Sequence, residues 1–410
     1  MPDTLGTNTS GWSVPGGTYR TLVVDVLNKK LQREYLNYSV WAPFIGKMGE
    51  RSPVIWLTDL TKQSGDTIQV PCLAALTGDG IAGDVEIEGS EEFLTYRAQT
   101  VYINQIRHAI KEHGAMSRQR SPFDVLSDGK KNLQEWYTQT HLDKQLFNTV
   151  YYGWPDHIAA AEATYGGLNI NSGALVCPRY WYCADSANNA ITYSATADTY
   201  ESAIETAEGT LGNNAEDLMS PNVLESVAAI LRVMNCPKAS FKGFEGYIGF
   251  IHPYQTAQLR KHETFFTAMT TAIPRDAKGN PIFAGLQGGN VVGYWNGIML
   301  IESNNVQDGQ GAARGMGLTD ELLSGASNGA NVRRAIFMGS NAIAIAEAMK
   351  PNLVTKSDFD YFNKTGIAIR GIWGAVRAEY AALASYAISG VTTYTQNLMV
   401  VSTYSPAVVV

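Results

Sequence analysis

The chain has 410 residues, of which 45% are hydrophobic and 17% are charged, and its formal net charge is −7. This length can bury a large core and predicts two or more lobes. The negative charge argues against tight, non-specific binding of duplex nucleic acid, which needs clustered Lys and Arg. The charged fraction is below the roughly 25% of typical globular proteins, and one explanation is burial of surface against other subunits. Basic pairs are scattered and are interpreted as solvated edges, at residues 29–30, 130–131 and 333–334.

The first part of the chain predicts an arm followed by a helix. Residues up to about 17 are rich in Gly, Ser and Thr, and an imperfect apolar stripe predicts a helix over residues 21–38. The opening MPDTLGTNTSGW has neither the basic nor the apolar region of an export signal, and no apolar run is long enough to span a bilayer. We therefore expect a soluble protein made in a cytoplasm, without a membrane partner and with reduced cysteines.

The strongest candidate for a functional segment is the stretch of residues 65–92. Two alternating segments, at residues 67–70 and 85–88, flank a Gly-rich tip and predict a two-stranded ribbon with an apolar face. Such a ribbon has too little core to be stable alone, so a neighbouring copy must cover any apolar surface that its own subunit does not. The residues expected to contact a neighbouring subunit are Ile68, Val70, Asp79, Asp84, Val85, Glu86, Ile87 and Glu88.

The tip of this ribbon also contains the letters GDGIAG at residues 78–83, which match the dinucleotide-binding pattern G-x-G-x-x-G. That site requires the glycines to lie between a buried strand and the N-terminus of a helix, which receives the pyrophosphate. Here a strongly acidic, strand-like segment follows and would repel a phosphate. We therefore interpret the motif as a flexible loop tip.

The next part of the chain predicts a strand, one long helix and one irregular segment. Residues 93–110 alternate in their early part as a strand does. Apolar residues at helical spacing predict a helix over residues 128–151, with Asp143 on or near its packed side as a buried polar tie. Residues 154–219 are rich in small and polar residues and predict an insertion or surface excursion, with an aromatic group at residues 180–182.

The second half of the chain predicts alternating helices and strands. Ser220 is expected to cap a helix that begins at Pro221, and His252 is interpreted either as the cap of another helix or as a packed imidazole. The pair Asn296 and Gly297 is a strong signal for a two-residue hairpin turn. The other expected elements are a buried strand at 247–251, hairpin strands at 291–295 and 298–301, a strand at 334–338, an Ala-rich helix at 341–349 and an alternating tail at 359–380.

The sequence offers no recognisable catalytic or metal-binding constellation. His108 and His113 are five residues apart, which is not the i, i+4 spacing that places two metal ligands on one helix face. The four cysteines lack C-x-x-C spacing, although a local disulfide between Cys177 and Cys183 is conceivable. We expect no cofactor, no metal and no enzymatic activity.

Six segments, taken in their order, resemble a known family. They are GDTIQVPCLAALTGDGIAGDVEIEGSEE, QIRHAIKEHGAMSRQRSPFDV, LQEWYTQTHLDKQLFNTVYYG, GFIHPYQTAQLR, VVGYWNGIMLIESNNV and RRAIFMGSNAIAIAEAM. This combination, over roughly residues 18–380, resembles the major capsid proteins of tailed bacteriophages, in particular the N4-type coat protein branch. Residues 154–219 match no pattern of that family.

The resemblance implies an α+β fold of the Hong Kong 97 type, with an arm, an extended β-hairpin loop, a peripheral domain and an axial domain. The expected mapping is an N-terminal arm at residues 1–49, the extended loop at 50–100, a peripheral domain at 101–153 and 350–410 with its spine helix at 128–151, the insertion at 154–219 and an axial domain at 220–349.

The function implied by the resemblance is that of a major capsid protein. Such a protein self-assembles into hexamers and pentamers that form an icosahedral shell around double-stranded DNA, which it contacts without sequence specificity. The expected partners are further copies, a portal, and scaffolding or decoration proteins; the expected location is the virion, after assembly in the host bacterial cytoplasm. The acidic tip would pair with a basic patch on the next subunit. The alternatives are a phage tail or decoration protein and, from the glycine match, a nucleotide-dependent oxidoreductase.

Overall fold

The structure is a computed structural model. The residues it describes are 40–61, 65–73, 80–84, 86–89, 91–94, 96–120, 125–152, 181–184, 191–192, 207–233, 235–241, 244–271, 291–306, 331–378, 380–381, 393–394 and 397–406. The predicted helix at 21–38, most of the predicted arm and much of the predicted insertion lie outside these residues. None of the described helices is both long and apolar enough to cross a membrane.

The described secondary structure is a mixture of strands and helices. The strands are β1 Ile45–Gly46, β2 Val54–Leu57, β3 Thr67–Leu73, β4 Tyr96–Tyr102, β5 Asn104–Lys111, β6 Trp181–Cys183, β7 Ile191–Thr192, β8 Ala239–Phe241, β9 Phe244–Ile251, β10 Val291–Trp295, β11 Ile298–Glu302, β12 Val332–Met338, β13 Ile343–Phe359, β14 Lys364–Arg377, β15 Tyr380–Ala381, β16 Thr393–Tyr394 and β17 Leu398–Tyr404. The α-helices are α1 Ala115–Arg120, α2 Val125–Glu135, α3 Lys144–Tyr152, α4 Pro221–Val233, α5 Pro253–Lys261 and α6 Glu263–Thr271.

The predicted long helix is present, with a change of winding at its centre. Helices α2 and α3 are joined by a π-helical segment, Trp136–Asp143. Asp143 is buried and its Oδ2 accepts a hydrogen bond of 3.0 Å from the backbone N–H of Val40. The predicted polar tie is therefore confirmed, and it holds the start of the described chain against the helix.

A five-stranded sheet in the order β1-β2-β13-β14-β5 lies against this helix. Alternate residues of β14 that point to the helix, such as Ile367 and Ile369, are buried in one cluster with Leu133 and Tyr137. Because successive side chains of a strand point to opposite faces, the residues between them lie on the other face of the sheet. The long antiparallel pair of β13 and β14 thus has one face on the helix and one face away from it.

A second sheet has eight described strands, in the order β10-β11-β9-β12-β17-β6-β7, with β8 paired to β9. Helices α4 and α5 cover one face through side chains such as Leu224, Leu231 and Leu259. The opposite face joins the cluster of the long helix, where Phe250 of β9 lies 4.5 Å from Trp41 and 5.5 Å from Phe147 between ring centroids. The long helix therefore shares one core with both sheets.

Several local predictions for the second half of the chain are confirmed. Ser220 Oγ accepts a hydrogen bond from the N–H of Val223, and Pro221 is the first residue of α4. His252 caps α5. Strands β10 and β11 form the expected hairpin, whose turn residues Asn296 and Gly297 have φ angles of 42° and 88°. Positive φ at both turn residues is what a type I′ turn requires.

The predicted helix at 341–349 is wrong, because these residues belong mainly to strand β13. Ile343 and Ile345 are buried in the core shared with the long helix, whereas Ala344 and Ala346 are buried in a different cluster. The alternation with period two decided the structure, and the high helix propensity of alanine did not override it.

Three expectations about the organisation of the chain also differ from the structure. Strand β17 pairs with β12 in the eight-stranded sheet, so residues 398–404 do not join the sheet of the expected peripheral domain. Strand β6 pairs with β17, so part of the expected surface excursion lies inside this sheet. The basic pair Arg333 and Arg334 was expected at a solvated edge but is buried.

Candidate assembly surface

The ribbon exists, but its returning strand is not the expected one. Strand β3 pairs with β4 in an antiparallel register that runs from Thr67 opposite Tyr102 to Leu73 opposite Tyr96. Residues 86–89 are irregular backbone and turn. The returning strand therefore begins about ten residues later than predicted, and the segment before it becomes part of a long loop.

The base of the ribbon is covered by its own subunit. Ile68 and Val70 share one face as predicted, and with Val101 they are buried in a cluster that includes Ile55 and Leu57 of β2. The subunit therefore supplies the surface that we expected from a neighbour. This is a correction for Ile68 and Val70, which are not available for an inter-subunit contact at the base.

The rest of the ribbon is a loop with exposed acidic and apolar side chains, which we call the acidic loop; its described residues are 80–84, 86–89 and 91–94. Asp84, Glu86 and Glu88 are all exposed. Among its apolar residues, Ile87 is 60% exposed and Phe93 is 90% exposed. Asp79 and Val85, which were also expected to contact a neighbour, lie outside the described residues. Exposed apolar side chains rimmed by polar ones are typical of a protein-protein interface.

The described residues around the glycine motif have none of the features of a nucleotide site. Gly80 and Gly83 have φ angles of 72° and 81° and lie in irregular backbone and bends. No helix begins in the described residues that follow, 84, 86–89 and 91–94, so there is no helix N-terminus for a pyrophosphate. The interpretation of this motif as a loop tip agrees with this backbone.

The described residues outside the ribbon contain no arrangement that favours catalysis. No group of three or more His, Cys, Asp or Glu side chains there could hold a metal ion. A cavity of about 880 Å³ lies beside α4 and α5, and its ionisable lining residues include Glu216, Lys261 and His262. Cys183 is a buried thiol, and its conceivable partner Cys177 lies outside the described residues.

The base of the ribbon is closed by one hydrogen bond and held against the five-stranded sheet by another. Ile103 N–H donates a bond of 3.1 Å to the backbone carbonyl of Asp66 across the ribbon, and Gln99 Nε2 donates one of 2.5 Å to the backbone carbonyl of Arg377 on β14. Gly374 of β14 lies so near the end of β4 that a Cβ atom there would be 1.8 Å from the carbonyl oxygen of Tyr102. The direction in which the ribbon leaves the subunit therefore depends on this glycine.

We expect Gly374→Ala to destabilise the subunit by about 1 to 3 kcal/mol, because the backbone must shift to make room for the methyl group. Thermal unfolding of the purified subunit measures this change. Gly209→Ala is the matched control, since nothing lies within 4 Å of a Cβ atom at that helical residue. Equal unfolding temperatures for the two variants would contradict the assigned role of Gly374.

Comparisons with known proteins show that the chain is similar to proteins that form phage capsids. The sequence model of the family described as phage capsid protein matches residues 20–406. A major capsid protein of Pseudomonas phage KPP25 is 26% identical over 333 residues, which cover 80% of this chain and 82% of that protein.

Solved phage capsids share the fold. The chain in the capsid of Ralstonia phage GP4 superposes with a TM-score of 0.66 at 19% identity. The alignment covers 98% of the present chain and 100% of the phage GP4 chain. The capsid of cyanophage Pam1 has a TM-score of 0.62, also at 19% identity, over 97% of this chain and 100% of that chain. The function expected from the sequence, that of a phage capsid protein, is confirmed by these matches. Because the family match spans nearly its whole length, the chain belongs to the phage capsid protein family.

Proposed function

We propose that this chain is the major capsid protein of a tailed bacteriophage, of the Hong Kong 97 type and the N4-type branch. It forms hexamers and pentamers that close into an icosahedral shell around double-stranded DNA. The observation that carries this proposal is the acidic loop, whose exposed side chains extend from a base that the subunit itself buries. A loop with exposed acidic and apolar side chains, on a base that is packed in its own subunit, suits repeated contacts with further copies.

In this proposal Asp79, Asp84, Val85, Glu86, Ile87 and Glu88 contact a neighbouring subunit, and the chain has no catalytic role. The proposed fold has four parts: the arm, the extended loop, a peripheral domain around the long helix and an axial domain around the eight-stranded sheet. Its further partners are the portal, scaffolding or decoration proteins and the packaged DNA. Assembly takes place in the host bacterial cytoplasm. Many weak interfaces repeated by symmetry then give a stable shell.

Expression of the chain in bacteria, followed by sedimentation and negative-stain microscopy, tests this function. Closed shells or capsomers are the expected products. Short tubes or trimers would favour a tail or decoration protein, and a small monomer or dimer that binds NAD would favour the oxidoreductase.

Deletion of residues 77–83 is expected to impair assembly and to leave the subunit folded. The base strands β3 and β4 keep their pairing because the deletion removes only part of the loop between them. Particle yield on a sedimentation gradient and circular dichroism of the soluble fraction give the two readouts. Unchanged particle yield would contradict the assigned role of the loop.

A further inference from the structure

The cavity beside α4 and α5 combines buried or half-buried apolar side chains with exposed polar ones. Its volume of about 880 Å³ is in the range of pockets that bind a ligand. The exposed polar lining includes Asn213, Glu216 and Lys261. The less exposed apolar lining includes Tyr182, Leu218, Met219, Val223, Ala257 and Pro406. Such a lining suits an occupant that is mainly apolar.

One of these lining residues, Pro406, lies where the chain leaves the eight-stranded sheet. Strand β17 ends at Tyr404, and Pro406 follows two residues later at the wall of the cavity. Pro406 is also the last residue that the structure describes. The segment that follows it in the sequence therefore starts at the cavity.

Hydrogen bonds fix this end of β17 to the elements that form the cavity. Gln258 of α5, which lines the cavity, donates a bond of 3.0 Å from Nε2 to the backbone carbonyl of Tyr404. Its Oε1 accepts one of 3.0 Å from Oγ of Ser405. The N–H of Tyr404 donates a bond of 2.8 Å to the carbonyl of Asp217, in the segment before α4. The cavity's own walls therefore hold the chain in place just before Pro406.

The four residues that follow Pro406 have the apolar chemistry that the cavity favours. They are Ala407, Val408, Val409 and Val410. Their side chains carry neither charge nor hydrogen-bonding groups, so their transfer from water to an apolar surface is favourable. An extended residue spans at most about 3.6 Å, so three residues reach roughly 10 Å beyond Pro406. This length is enough to place valine side chains inside the cavity.

The attachment of the segment at the cavity wall favours the subunit's own cavity over that of another copy. A tethered segment has a high effective concentration at a site beside its point of attachment, and a short tether pays little entropy to close. A segment from a second copy lacks this advantage.

We propose that Val408 and Val409 insert into the cavity of their own subunit and close it. The inserted segment joins β17 to α4 and α5 and adds apolar contacts to side chains such as Leu218 and Val223. It also occupies the space that a ligand or a segment of a partner protein would need. This inference does not depend on the proposed function, since it concerns the folded subunit and not its assembly.

A disulfide trap tests where the segment lies. Val409→Cys is combined with Ala257→Cys on the cavity wall, in a chain whose Cys72 and Cys177 are replaced by serine; Cys183 and Cys236 are buried. After mild oxidation with copper phenanthroline, we expect most molecules to contain a bond between positions 409 and 257 of the same chain. A non-reducing gel and mass spectrometry of the linked peptides detect it.

Arg260→Cys in place of Ala257→Cys is the matched control, because Arg260 is exposed on the same helix and lies outside the cavity lining. Little linkage is expected there. A bond between two chains at positions 409 and 257 would place the segment in a neighbour's cavity and overturn the proposal. Absence of the bond, or equal linkage at positions 257 and 260, would overturn it as well.

The reactivity of the thiol introduced by Val409→Cys gives a second measurement. Ala257→Trp adds a large side chain to the cavity wall, and we expect it to increase the rate of reaction with a water-soluble maleimide roughly tenfold, which corresponds to about 1.4 kcal/mol. Val408→Asp is expected to have the same effect without a change of the wall, because insertion would bury a carboxylate. Arg260→Trp is the control and should leave the rate unchanged. Equal rates in all these chains would show that the segment lies outside the cavity.

Discussion

Replacing Glu208 by alanine is expected to lower the free energy of unfolding by about 3 to 5 kcal/mol, because it leaves the buried guanidinium of Arg334 without its anion. The two side chains form a bidentate pair, with Arg334 Nε 2.8 Å from Oε1 and Nη2 2.7 Å from Oε2 of Glu208. Both residues are buried, and Ser402 Oγ donates a further hydrogen bond of 2.6 Å to Oε1. Chemical denaturation of the purified subunit measures the loss.

The position of this pair explains why the effect should be large. Arg334 lies on β12, Ser402 on β17 and Glu208 in a helical turn at residues 207–210, so the pair joins three separate parts of the chain. The guanidinium also lies 5.1 Å from the ring centroid of Trp181 on β6. Removal of the carboxylate therefore leaves a charge in a region that water cannot reach.

A double variant separates the cost of an unpaired charge from the cost of a changed shape. Replacing both residues by apolar ones, Glu208→Leu with Arg334→Met, is expected to destabilise the subunit less than Glu208→Ala alone, because neither charge then remains buried. If the single variant loses less than about 1 kcal/mol, the pair behaves like one at the surface and the assigned role is wrong.

The burial of Arg334 was not predictable from its sequence neighbourhood. Its partner Glu208 is 126 residues away and lies in a segment rich in small and polar residues. A pair of basic residues is predicted to be exposed to solvent unless a carboxylate partner is known. No local sequence pattern identifies Glu208 as that partner. Features that depend on neighbouring residues, such as the caps at Ser220 and His252 and the turn at Asn296, were predictable.

The ribbon shows the same limit for strand pairing. Alternation correctly placed Ile68 and Val70 on one buried face, because that depends on the pleat of a single strand. The partner strand depends on where the loop closes, and two segments, residues 85–88 and 96–102, offered apolar positions. The cost of closing a loop grows slowly with its length, so the sequence could not decide between a short and a long loop.

Acidification is expected to destabilise the subunit through His252, whose pKa is lowered to about 3 by burial and by the nearby charge of Arg333. The unfolded chain binds a proton on this residue near its ordinary pKa of about 6.5, while the folded chain stays neutral until the pH approaches the lowered value. Through His252, the free energy of unfolding is therefore highest above pH 6.5, and it decreases as the pH falls from there towards 3. The loss is about 2 kcal/mol at pH 5.

The geometry of the helix cap explains why protonation of His252 destabilises the folded subunit, and it suggests a control variant. His252 Nδ1 accepts a hydrogen bond of 3.2 Å from the N–H of Tyr254 at the start of α5, and a proton on this nitrogen would remove the acceptor. His252→Asn keeps an acceptor at the cap and does not titrate in this range, so its stability should depend less on pH between 6.5 and 4. Denaturation of both chains at several pH values gives the difference, in which most contributions from other ionisable groups cancel. Parallel pH profiles would mean that His252 titrates normally in the folded subunit.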